Sequence, residues 1–129
     1  MEHYREVTAM HFRWSTLLVK NMDESLRFYT DVLGLKLASR TCPMPGLEIA
    51  FLETGETQIE LVMNSEATKA APGDAVSWGF EVDSLDDALR TVREKGVSIH
   101  TGPAIHPNVK YFFILDPNGL KIQLKEIIK

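Results

Sequence analysis

The chain has one cysteine in 129 residues, no excess of basic side chains, and no apolar run long enough to cross a bilayer. Each shortage excludes something. A lone thiol, Cys42, can neither close an intrachain disulfide nor build a cysteine zinc cluster, and its place before Pro43 reads as an incidental loop thiol. With 14 Lys and Arg against 18 Asp and Glu the formal net charge is −4, and the cations are scattered, so neither nucleic acid nor an anionic membrane is an expected partner. The opening residues, MEHYREVTAMHFRW, carry charges where a secretory leader needs an apolar stretch, which makes the cytoplasm the expected address.

What remains is an ordinary globular composition in a length that suits a single domain, residues 1–129, with one core. Hydrophobic alternation predicts a strand over Phe12–Val19 (FRWSTLLV). Asn21, Asp23 and Glu24 then cap a helix whose apolar residues Leu26, Phe28, Tyr29, Val32 and Leu33 recur at helical spacing until Gly34. Three strands follow, Lys36–Thr41, Leu47–Leu52 and Thr57–Met63, with a break at CPMPG. After an Ala-, Pro- and Gly-rich connection over Asn64–Asp74 the pattern restarts. Strand Val76–Val82 leads to helix Ser84–Lys95, and strands are expected at Val97–His100, Tyr111–Leu115 and Leu120–Leu124. A two-proline loop is expected between His100 and Tyr111.

The order βαβββ thus occurs twice, over about residues 12–63 and 76–126. A shift of sixty-three positions puts Val19 on Val82, Asp23 on Asp86, Leu26 on Leu89 and Leu61 on Leu124. The expected fold is α+β: two βαβββ modules whose curved mixed sheets surround a cavity, with the helices on their outer face. A cavity of that kind suits a small molecule. The face opposite the helices must look at its counterpart or at a partner chain.

The stretch LDPNGLKIQL poses the question of function most sharply. Asp116-Pro117-Asn118-Gly119 is turn chemistry, and in the strand after it Gln123 stands between apolar Ile122 and Leu124 on the polar face. The same shift sets Glu60 on Gln123 and Trp14 on Ser77. Four strands therefore each offer one side chain to a common place. Trp14, Glu60, Ser77 and Gln123 are the expected substrate-binding residues.

Taken together, LLVKNMDESLRFYTDVLGLKL, GETQIELV, WGFEVDSLDDALRTVREKGV and FFILDPNGLKIQL resemble the vicinal-oxygen-chelate superfamily, above all its glyoxalase I (lactoylglutathione lyase) and bleomycin-resistance branches. The likeness runs from about Phe12 to Glu126. For the enzymes, it implies a divalent metal held by one side chain from each of four strands, a substrate bound through two neighbouring oxygens, and a glutamate that moves protons. Where glyoxalase I carries His or Gln, then Glu, His and Glu, this chain carries Trp14, Glu60, Ser77 and Gln123. Only Glu60 agrees. An indole cannot ligate, a serine is short and neutral, and a glutamine gives one uncharged oxygen, so no residue is assigned to a metal. His3, His11 and His100 complete no known ligand pair, and His106 is held as a candidate at the cavity mouth.

Three readings follow from the resemblance. One is a metal-dependent glyoxalase I-type lyase or isomerase that uses a divalent metal, or Glu60 as the catalytic base, on a small oxygenated substrate. The second is a metal-free small-molecule binder of the bleomycin-resistance type in which Trp14 stacks on a flat ligand. The third is a dimeric domain with a vestigial pocket. A homodimer is expected in each, because family members complete the cavity between chains.

Overall fold

A computed structural model describes residues 10–65 and 71–129. His3 and part of the expected 64–74 connection lie outside the described residues.

Strand β1 (Trp14–Leu18) leads into helix α1 (Met22–Arg27). The Asn21 side chain accepts from the Glu24 N–H at 2.9 Å, and Asp23 and Glu24 place negative charge in the first turn. Where the sequence predicts one continuous α-helix, the last part widens into a π-helical turn over Phe28–Val32, closed by Leu33 N–H on the Phe28 carbonyl at 3.2 Å. The widening lets two consecutive aromatics, Phe28 and Tyr29, both reach the core. Strands β2 (Lys36–Met44), β3 (Leu47–Glu53) and β4 (Gln58–Met63) complete the first half.

The second half repeats the order: β5 (Ser77–Glu81), α2 (Leu85–Glu94), β6 (Thr101–Ile105), β7 (Val109–Leu115) and β8 (Lys121–Ile127). Ser84 caps α2 through Asp87 N–H at 3.1 Å. The two sheets share one strand plan, β1-β4-β3-β2 and β5-β8-β7-β6, with a parallel pair at the start and antiparallel pairs after it. Neither sheet closes. The fold is α+β, as the pattern implies.

Two expectations need correction. Val97–His100 is not a strand; the strand is β6, inside the segment read as a loop, and β2 likewise runs through Pro43. Both are edge strands, where a proline forfeits no ladder bond on its outer side, and each pairing slips in register near its proline. Gly102 permits the bend in β6: its φ is +93°, and a Cβ there would lie 3.1 Å from the Phe112 Cα.

Alternation sends one set of each sheet inward. Leu17, Val19, Leu52, Ile59 and Leu61 from the first sheet join Phe112, Ile114, Ile122 and Leu124 from the second, with α1 and α2 residues, in one core. A buried polar clamp fastens the halves together. Asp116, 4% exposed, accepts from the Tyr29 hydroxyl at 2.8 Å and from the Asn118 and Leu120 N–H groups at 2.8 Å each. The Asn118 amide donates to Ser25 Oγ at 3.1 Å, and its oxygen accepts from the Lys20 N–H at 3.0 Å. Burial, then the Asp116 charge and hydrogen bond, hold the Tyr29 phenol far above its ordinary pKa, so it stays a neutral donor.

Candidate ligand-binding site

With one face of each sheet committed to the core, the other face looks away from it. On the first sheet the register aligns Trp14 with Gln58, Thr16 with Glu60, and Phe51 with Glu60 from the other side. Trp14, Thr16, Gln58, Glu60 and Phe51 therefore share the outward face. On the second sheet Ser77 aligns with Lys121, Gly79 with Gln123, and Phe113 with Gln123, which places Ser77, Gly79, Lys121, Gln123 and Phe113 together.

The predicted residues thus fall into two pairs. Trp14, 54% exposed, and half-buried Glu60 lie on the first sheet; Ser77 and Gln123 lie on the second. The cavities of a single chain divide them further. Ser77 borders a hollow of about 460 Å³ that also takes in Ser15, Trp78 and Phe80, and a smaller one of about 180 Å³ with His100 and Lys121. Gln123 borders one of about 250 Å³ beside Gly79 and Lys125, and Trp14 and Glu60 border none of these.

Glu60 is held from the neighbouring strand. The Thr16 hydroxyl donates to its Oε1 at 2.6 Å, a charge-assisted bond between register partners. At the corresponding place on the second sheet Gly79 has no side chain, and the Gln123 Oε1 lies 3.4 Å from where its Cβ would be. His106 stacks on Tyr111 with ring centroids 5.9 Å apart, and Tyr111 meets Phe113 edge-on at 6.0 Å, so the histidine sits at the rim of the second face.

The donor set does not fit a glyoxalase-type divalent ion. One carboxylate already bonded to a threonine, one amide, one hydroxyl and an indole supply too little charge and too few lone pairs. Among the described residues no group of three His, Cys, Asp or Glu could hold a metal. What the two faces can do is offer aromatic surface, from Trp14 and Phe51 on one and Phe113 and Tyr111 on the other, with a few hydrogen-bonding groups set into it.

Sequence reasoning did not select Thr16, Gly79, Phe51 or Phe113 for the site. Alternation alone sets Thr16 on the face of Trp14 and Gly79 on that of Ser77; the strand register is what brings all four beside Glu60 and Gln123.

Residues 9–124 match the model of the Glyoxalase/Bleomycin resistance protein/Dioxygenase superfamily. The chain belongs to this superfamily. It is 33% identical over 122 residues to the lactoylglutathione lyase of Neisseria meningitidis, covering 88% of each protein. With that of Haemophilus influenzae the identity is 35% over 128 residues, covering 91% of this chain and 93% of the relative. Among solved structures, the glyoxalase I of Leishmania major superposes with a TM-score of 0.76 at 24% identity, over 90% of this chain and 86% of that one. An antibiotic binding protein from Streptomyces superposes with a TM-score of 0.75 at 20% identity, over 95% of this chain and 99% of that one. At such identity the two structures speak to the fold.

Proposed function

We propose that this protein, a single domain of two copied modules acting in the cytoplasm, binds a small flat organic molecule without a resident metal. The site joins Trp14 and Glu60 on the outward face of one first sheet to Ser77 and Gln123 on a second sheet, with a second copy of the chain supplying the facing surface. The observation that carries this reading is the chemistry of those four side chains. They combine one stacking surface, one carboxylate, one amide and one hydroxyl, which suits orientation of an organic ligand and not chelation of an ion. The antibiotic binding protein of like fold supports a binding role on this scaffold.

Trp14 fluorescence tests it. In a Trp78→Phe background, a panel of flat aromatic compounds is titrated against the protein. Quenching at micromolar concentration that disappears in Trp14→Ala supports the proposal; indifference to the whole panel favours a vestigial pocket.

A second reading is favoured by the identity to lactoylglutathione lyases and by the retained glutamate. In it Glu60 is the base of a metal-dependent lyase or isomerase. Stoichiometric nickel, zinc or manganese in protein purified without chelator, lost in Glu60→Ala, would establish that reading and displace the first.

A further inference from the structure

The two halves treat their pseudo-equivalent polar residues differently. Beside Glu60 stands Thr16, whose hydroxyl donates to Oε1 at 2.6 Å. Beside Gln123 stands Gly79, which holds nothing. Threonine is β-branched and stiff about χ1, so it fixes the donor with little freedom left to lose. Phe51 lies on the far side of Glu60 in the same register, and Gln58 and Val62 lie above and below it on the same strand face. Among the described residues nothing else bonds to the Glu60 carboxylate. One oxygen is occupied and the other is open.

We infer that Thr16 is the positioning residue of the site: it ties down Oε1 of Glu60 so that Oε2 is presented to the ligand as a fixed acceptor amid the aromatic surface of Trp14 and Phe51. The inference rests on the binding reading above and adds to it the class of ligand, a flat molecule that carries an N–H or O–H donor at its edge. A freely rotating carboxylate would spend part of its binding free energy on being ordered; the threonine removes that cost beforehand. The Gln123 amide has room to turn over Gly79, and it adapts to the opposite edge of the ligand as donor or acceptor.

The test uses the full-length protein and two variants, Thr16→Val, which keeps the shape and loses the hydroxyl, and Thr16→Ser, which keeps the hydroxyl. Equal thermal midpoints establish that all three are folded. Crystal structures without ligand come first. Glu60 is expected to keep one orientation in the wild type and in Thr16→Ser, and to occupy a second rotamer in Thr16→Val. An unmoved Glu60 in Thr16→Val overturns the inference. Calorimetry with indole and benzofuran, which share a shape and differ in one N–H donor, comes second. Wild type and Thr16→Ser should prefer indole by about tenfold, and Thr16→Val should reduce that preference to about twofold or less. A wild type that binds both compounds equally overturns the assigned ligand class. Binding of neither compound counts against the proposed function instead, and the crystallographic comparison still decides the role of Thr16.

Discussion

Asp116 is a carboxylate withdrawn from water, and its stability depends on every donor around it. Oδ1 takes the Asn118 and Leu120 N–H groups, and Oδ2 takes the Tyr29 hydroxyl and the Asn118 amide. Removing one donor leaves a buried charge short of a partner, so Tyr29→Phe should cost about 1–3 kcal/mol in urea unfolding at pH 8. The pH dependence has a definite sign. The unfolded phenol ionises near pH 10, whereas burial and Asp116 keep the folded phenol protonated well beyond that. Above pH 10 the folded state therefore holds a proton that the unfolded state releases, and stability falls as pH rises, by up to about 1.4 kcal/mol per unit from this group. The gap between wild type and Tyr29→Phe should accordingly narrow between pH 9 and 11. A gap constant over that range would mean that Tyr29 does not hold its proton in the folded chain.

At the scale of elements, β6 depends on one backbone position. Gly102 has a φ of +93° and lies against the Phe112 Cα and the Tyr111 carbonyl, each 3.1 Å from where a Cβ would be. Gly102→Ala should therefore destabilise by more than about 1 kcal/mol, and hydrogen exchange should show the loss first along β6 and its pairing with β7. Uniform loss of protection across both sheets would contradict a local origin. The same strand shows where sequence reading stops. Helices α1 and α2 were legible because cap and periodicity agree, Asn21 and Ser84 each binding the N–H three residues on. The strands β4 and β8 were legible because Ile59, Leu61, Ile122 and Leu124 alternate cleanly. An edge strand containing Gly102 and Pro103 has no such pattern, since its pairing comes from β7 and not from its own residues. The turn at 116–119 was read correctly as a turn, but its reach to Tyr29, Ser25 and Lys20 spans some ninety positions and leaves no local trace. For the site, alternation identified the face of Glu60 and Gln123. It could not set Thr16 beside Glu60 or Gly79 beside Gln123, because cross-strand neighbours depend on register.

For the whole molecule, the shared core has a consequence for assembly. Both sheets turn their inner faces to the same cluster of helices and apolar side chains, so the outward faces of one chain leave Trp14, Leu115 and Ile127 between 39% and 54% exposed. The two faces differ in charge. Among the described strand residues the first carries Glu53 and Glu60 against Lys36, which pairs with Glu53, and the second carries Lys121 and Lys125 on either side of Gln123 against Glu81, so the first is net acidic and the second net basic. Like faces would repel and unlike faces attract, so in a twofold dimer the first sheet of each copy should cover the second sheet of the other, generating two equal sites. Sedimentation at micromolar concentration should then give a dimer. Lys125→Glu should shift it towards monomer by placing an acidic group opposite an acidic face, and adding Glu53→Lys in the same chain should restore part of the dimer, because each interface then regains an opposite pair. Strengthening of the dimer by the first substitution would point to like faces meeting, and weakening without rescue by the second would mean that Glu53 does not lie opposite Lys125. A Lys125→Glu protein that sediments as the wild type does would remove this interface altogether, and with it the route by which Trp14 and Glu60 meet Ser77 and Gln123.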